Sequence, residues 1–251
     1  MDKVRISKLF SEKQIASRRT TEKWVENQWI SVDGEILKSP GQVIDPRSLI
    51  LVNVKAQHEI SDQVTVILNK PPGFVSTFND PKYAHALSLI QKKNFYTPKD
   101  ADTSSYSLSY KEFDPVKLGP AGRLDAPSRG LMLYTQDGTL AKKIIGEASE
   151  IDKEYIVKVR GSITPDKLKK LGFGLSLDGQ KLKPAEVTLV NKDQKILRFI
   201  LREGKNRQIR RMCQLVDLQV IDLLRVRIGK LHLNDLPEGK WQFLDPNTHT
   251  I

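Results

Sequence analysis

Cysteine is almost missing from this chain: Cys213 is the single one among 251 residues, so no disulfide can form within it and a reducing compartment fits. There is no Cys-x-x-Cys pair, and the four histidines, His58, His85, His232 and His249, lie far apart without ligand spacing. Neither a metal nor a cofactor is expected. Long apolar runs are lacking too. No stretch approaches the roughly 20 residues that span a bilayer, and the N-terminus shows neither the apolar core nor the small-residue cleavage site of a secretory signal. The expectation is a cytoplasmic protein with no membrane contact, monomeric for want of any interface signal. Acidic residues are the last deficit, 30 Asp and Glu against 41 Lys and Arg, for a formal charge of +11. Such a balance favours a polyanion, nucleic acid first, over a small acidic ligand.

The chain does have enough apolar content, 39%, for one or two folded domains. Its basic residues are unevenly placed. Arg198, Arg202, Lys205, Arg207, Arg210 and Arg211 fall within fourteen residues opposed only by Glu203, and that much like charge on one segment calls for an anion.

Residues 1–60 read as a separate module. Ile6 to Gln14 and Ser17 to Asn27 suit two short helices, the second opened by Ser17 as N-cap. Arg18 and Arg19 in its first turn oppose the helix dipole, a local cost of about 0.3–1 kcal/mol that makes sense if they point at phosphates. Asp33-Gly34 between Trp29–Val32 and Glu35–Leu37 is a hairpin signal, and Leu49 to Val54 supplies another strand.

A polar joint over Gln57–Gln63 leads into residues 61–251. Val64 to Leu68 reads as a strand ending at Lys70-Pro71-Pro72-Gly73, where the prolines forbid a helix. Residues 79–117 read as a long loop or insertion with a helix at Ala84 to Lys93. Strands are read at Leu131–Thr135, Lys153–Val159, Glu186–Val190, Lys195–Leu201, Arg225–Ile228 and Trp241–Leu244, the third and fourth as a hairpin pair, with helices at Thr139–Ile145, Thr164–Leu171 and Asn206–Val216. The first of these helices puts Leu140, Ile144 and Ile145 on one side, and the last puts Ile209, Met212, Cys213 and Val216 on one face. Because strands follow one another without regular crossover helices, the fold class is α+β with a mixed, largely antiparallel sheet.

The most informative stretch is GPAGRLDAPSRGLMLYTQDG, which sets the carboxylate of Asp125 beside the guanidinium of Arg123 just ahead of an apolar strand. That is a candidate nucleophile at a strand mouth. The stretch does not stand alone: with KEYIVKV and EGKNRQIRRMC it follows the order and rough spacing of the pseudouridine synthases. ISKLFSEKQIASRRTTEKWV and ISVDGEIL resemble the alpha-L RNA-binding domain, which narrows the likeness to the RsuA branch, and NKPPGFVST and RVRIGKLHLNDLPEGKW extend it over nearly the whole chain except 79–117.

This resemblance implies a small αα-β RNA-binding module over 1–60 and a catalytic domain over 61–251 that isomerises a uridine of ribosomal RNA, free or in an assembling particle. The large subunit is expected first, with small-subunit RNA, transfer RNA or non-catalytic RNA binding as alternatives. It implies Asp125 as nucleophile, Arg210 as the cation paired with it, Tyr155 against the target base and able to move a proton, and Arg123 stacked where the flipped base was. Lys8, Arg18, Arg19, Lys23, Lys70, Lys205, Arg207 and Arg211 are the remaining candidates for RNA contact, Lys70 with a structural role as its alternative. At about 100° per residue, Arg207 and Arg211 would point about 300° and 100° away from Arg210 on a helix, so they need not share its target and are left to RNA or structure. Two departures stand out: Ser128 occupies a position where threonine is common, and Val216-Asp217-Leu218 replaces a glycine-containing turn. The 79–117 tract enters just before Asp125 and is longer than the resemblance leads one to expect, so it is a candidate for gripping substrate.

Overall fold

In the computed structural model residues 3–76, 80–97, 110, 112–146 and 149–244 are described. The N-terminal part runs β1 (Val4–Arg5), α1 (Ile6–Glu12), α2 (Arg18–Glu26), β2 (Ile30–Val32), β3 (Glu35–Ile36), β4 (Val43–Ile44), β5 (Ile50–Val52) and α3 (Val54–Ser61). The Ser17 hydroxyl caps α2 by accepting from the Thr20 amide at 3.1 Å. Asp33 and Gly34 both have positive φ, 51° and 87°, as a two-residue hairpin turn matched to strand twist requires. Ile6, Phe10, Trp24, Val25, Ile30 and Leu37 are buried in a cluster of their own. The polar joint is instead α3. The Asn53 side chain accepts from the Lys55 amide at 3.0 Å and opens the helix, while Ala56 is fully buried.

The larger part contains β6 (Thr65–Lys70), β7 (Phe74–Val75), β8 (Ala84–His85), β9 (Gly119–Pro120), β10 (Arg129–Thr135), α4 (Gly138–Ile145), β11 (Lys153–Arg160), α5 (Pro165–Gly172), β12 (Ser176–Leu177), β13 (Gln180–Lys181), β14 (Glu186–Asn191), β15 (Ile196–Leu201), α6 (Gln208–Gln214), β16 (Gln219–Ile228), β17 (Leu231–His232) and β18 (Trp241–Phe243). Its main sheet has the order β14-β15-β11-β16-β10-β6-β18, with β9 on β10 and β17 on β16. Every pairing in it is antiparallel except β10 with β16, so the mixed, largely antiparallel reading holds. Successive side chains of β10 point to opposite faces, and both faces are dry. Met132 and Tyr134 join one core with α6, while Leu131 and Leu133 join another with Ile144 of α4. The predicted face of α6 is buried throughout. On α4, Ile144 is buried but Ile145 is 51% exposed, so only part of the expected apolar side faces the core.

The helix expected over Ala84 to Lys93 is broken into β8 and two short 3₁₀ turns, Ala86–Leu89 and Lys92–Asn94. The His85 side chain accepts from the Leu87 amide at 3.1 Å, a local bond that competes with helix. Aromatic residues beyond these turns tie the tract to the sheet edge: the rings of Phe95, Tyr110 and Phe113 lie 4.9–6.3 Å from that of Trp241. The strand expected from Arg225 starts earlier, at Gln219. Asp217, in place of the glycine, takes a left-handed φ of 53°, which a short polar side chain tolerates. Among the described residues no helix is long and apolar enough to cross a membrane, and no group of His, Cys, Asp and Glu could hold a metal ion.

Candidate active site

A cleft of about 1230 Å³ opens over the sheet, lined among others by Arg123, Asp125, Tyr155, Arg207, Arg210 and Arg225. Its centre is the segment between β9 and β10, which other elements hold in place. Ser76 bonds Leu124 twice, its hydroxyl donating to the carbonyl at 3.0 Å and accepting from the amide at 2.9 Å. The Gly73 amide donates to the Ala126 carbonyl at 2.8 Å, and a turn closes with the Ser128 amide on the Asp125 carbonyl at 2.9 Å. Asp125 is thereby presented on a fixed backbone with its side chain 31% exposed. Arg123 is exposed at the rim, and Tyr155 is 8% exposed in the wall.

The arginine nearest Asp125 is not the expected one. Arg207 Nη1 lies 3.8 Å from Asp125 Oδ2, whereas Arg210 Nη2 donates to the Pro127 carbonyl at 3.0 Å and to the Ser128 hydroxyl at 3.1 Å. The helical-angle argument fails because α6 begins only at Gln208. Arg207 is left-handed, with φ 49° and ψ 33°, so its side chain leaves in a direction that helical geometry does not give. Arg210 still senses the carboxylate. Burial and the neighbouring Arg207 charge lower its pKa, while Asp125 and Asp222 oppose that. Ser128, with the hydroxyl that threonine would also carry, is buried and used.

Lys70 needs a second correction, since it is fully buried and cannot reach RNA. Its ammonium donates to the carbonyls of Pro71 at 2.8 Å and Phe74 at 2.7 Å, holding the turn that the two prolines begin. Burial pulls its pKa down to about 8, opposed by the charge of Asp125 and reinforced by that of Arg225. Two further buried cations are ones that sequence reasoning missed. Lys153 donates to the carbonyls of Ile144 and Ile151 at 3.2 and 3.0 Å, and Arg225 also donates to carbonyls. A strand pattern that alternates inward and outward places Lys153 on the buried side with Tyr155, and that alternation is the signal by which Lys153 could have been found.

The other cations divide by setting. Lys205 donates to Gln180 at 2.9 Å and Arg211 pairs with Asp178, so both tie α6 and its approach to the β12–β13 hairpin. Lys8 lies 3.8 Å from Glu12 and Lys23 is 2.8 Å from Glu59. Arg18 and Arg19 are exposed and carry no ion pair among the described residues. Of the other carboxylates in the cleft lining, Glu203 accepts from Gln208 at 2.7 Å and from the Lys183 amide at 3.2 Å, and Asp80 accepts from the Lys82 amide at 2.9 Å.

Over residues 64–215 the chain matches the RNA pseudouridylate synthase family. It is 31% identical over 248 residues to ribosomal large subunit pseudouridine synthase B of Bacillus subtilis (strain 168), covering 97% of this chain and 93% of the relative. Against the dual-specificity RNA pseudouridine synthase RluF of Shigella flexneri it is 30% identical over 253 residues, 96% of this chain and 75% of the relative. A putative ribosomal large subunit pseudouridine synthase of Arabidopsis thaliana chloroplasts, SVR1, is 32% identical over 94% of this chain and 57% of its own length. A crystal structure of a pseudouridylate synthase shares the fold, with a TM-score of 0.63 at 24% identity over 96% of both chains.

Proposed function

The chain belongs to the RNA pseudouridylate synthase family, in its RsuA branch, and on that premise we propose that it isomerises a uridine of ribosomal RNA, most directly large-subunit RNA, with Asp125 as nucleophile. The observation that carries this reading is the setting of Asp125. It stands on a fixed loop in a basic cleft, with Arg207 3.8 Å away and Tyr155 in the wall. Glu203 and Asp80, also in the lining, are engaged by their own neighbours, so the paired acid and base of glycoside hydrolysis have no counterpart among the described residues.

The reaction moves ribose C1′ from uracil N1 to C5. One C–N bond breaks, one C–C bond forms, C5 loses a proton and N1 gains one, so no redox group is called for. Asp125 attacks C1′, or promotes a glycal-like intermediate, while the base turns over. Tyr155 packs against the base and takes the C5 proton. Arg123, at the rim, fills the gap left by the flipped nucleotide with its planar guanidinium. Arg207 stands 3.8 Å from the nucleophile's carboxylate, and Arg210 holds the loop behind it through the Pro127 carbonyl and the Ser128 hydroxyl. Residues 1–60 form the alpha-L module, which grips RNA through Arg18 and Arg19, with Lys8 and Lys23 beside them. The enzyme works as a cytoplasmic monomer. Residues 98–109, the centre of the tract expected to grip substrate, lie outside the described residues.

The test is tritium release from ribosomal RNA labelled at uridine C5 and purified from cells lacking this protein. Wild type should release tritium from large-subunit RNA or its precursor particles. Asp125→Asn should be slower by at least about a thousandfold with unchanged RNA binding. Release from small-subunit RNA alone would redirect the target, and full activity of Asp125→Asn would sink the nucleophile assignment.

A further inference from the structure

Arg225 takes no part in that chemistry, yet it is among the most buried charges in the protein, 2% exposed. It stands in β16, which lies between β10 and β11. In register it faces Gly130 of β10 on one side and Tyr155 of β11 on the other, and the β11–β16 ladder shifts register between Glu154 and Tyr155, where the tyrosine meets Arg225. Its Nε donates to the Leu131 carbonyl at 2.7 Å and its Nη1 to the Arg123 carbonyl at 3.4 Å. Nη2 lies 3.5 Å from the Met132 sulfur. The two carbonyls flank Asp125 in sequence, one before the nucleophile loop turns and one just after it has entered β10.

No carboxylate pairs with Arg225 among the described residues. A buried charge without a counter-ion is costly, and an apolar side chain would fill a dry strand position at less cost. An apolar residue has no donor to offer, and an ammonium lacks the rigid, planar fork that fixes the direction of each bond to the two carbonyls. The fit is close on the other side as well. A Cβ on Gly130, whose φ is +107°, would overlap the Arg225 carbonyl oxygen.

We propose that Arg225 is a positioning residue: its buried guanidinium clamps both ends of the loop that carries Asp125 to the strand beside Tyr155, and so sets the distance between nucleophile and tyrosine. This rests on the assignment of Asp125 as nucleophile. An error of about 1 Å in such a distance costs on the order of a hundredfold in rate, with little effect on how RNA is held by the exposed cations.

The experiment compares Arg225→Met, Arg225→Lys and Asp125→Asn with wild type in single-turnover tritium release. RNA affinity and amide exchange over residues 122–128 are measured in parallel. Arg225→Met should be slower by about a hundredfold, with RNA affinity within about twofold and faster exchange confined to the loop. Arg225→Lys, whose ammonium reaches one carbonyl, should recover part of the rate. A folded Arg225→Met with wild-type rate overturns the proposal, as does a rate loss matched by an equal loss of affinity. If Arg225→Met fails to fold, Arg225→Lys decides: wild-type rate overturns the clamp, and a slowed rate at unchanged affinity supports it. Full activity of Asp125→Asn would refute the nucleophile instead, a result separate from either outcome at Arg225.

Discussion

The cations of the N-terminal part and those beneath the cleft are satisfied in opposite ways. Lys8 and Lys23 sit at the surface opposite Glu12 and Glu59, while Lys70, Lys153 and Arg225 are buried and bond to backbone carbonyls. A surface pair is worth little, is screened by salt and can be exchanged for a phosphate contact. A buried cation on carbonyls cannot be exchanged. It fixes the backbone at the carbonyls it bonds. The charges of the first region are exchangeable, and those of the second are locked to the backbone.

The comparison breaks most visibly at Gly130. Gly130→Ala combines a positive φ with overlap on the Arg225 backbone, and should cost about 3 kcal/mol or more, a fall in melting temperature of roughly 6–12 °C. An unchanged melting curve would mean that β10 and β16 can separate at little cost. Lys70 gives a signed effect of pH. Its pKa is about 8 when folded against 10.5 when free, so between these values the unfolded chain binds more protons and stability rises with pH. The neutral amine still donates to both carbonyls. The melting temperature of wild type relative to Lys70→Met should therefore climb by roughly a few degrees from pH 8 to 10.5; a flat or falling difference contradicts the buried ammonium.

A smaller change tests the junction between the two regions. Lys142 of α4 donates to the Ser11 carbonyl at 3.2 Å, and a Cβ on Gly138 would lie 2.5 Å from that of Ser17. Gly138→Ala should loosen the N-terminal part from α4 for about 1 kcal/mol, seen as a larger radius in X-ray scattering, and adding Ser17→Gly should restore it. Scattering identical to wild type for the single variant would refute the contact. The smallest effect belongs to Lys23→Ala, within about 0.5 kcal/mol in stability. Its loss of RNA affinity should fade at high salt, and a salt-independent loss would place Lys23 outside the phosphate contacts.

How far such features can be read from sequence depends on the range over which their cause acts. The buried face of α6 and the inward row of β11 are legible because 3.6-residue and 2-residue periods are local geometry. The Asp33-Gly34 hairpin is legible for the same reason. Helix α3 escapes notice although its cap, Asn53, stands in plain view, because His58, Glu59 and Ser61 make the segment look like a linker. The choice between a structural and a phosphate-binding Lys70 stays open in sequence because its cover is the fold around the end of β6. Arg207 takes the place of Arg210 beside Asp125 through a single left-handed residue, a backbone choice that helix spacing does not encode.

The sequence by itself determined the family, the α+β class and the loop that carries Asp125, because motif order, periodicity and turn chemistry are properties of neighbouring residues. Only the tertiary structure decided which arginine approaches that carboxylate and which cations leave solvent. It also decided that Arg225 lies between the loop that carries Asp125 and Tyr155. These depend on β10, β11 and β16, drawn from distant parts of the chain, lying side by side, and burial and charge are fixed by what surrounds a residue in space.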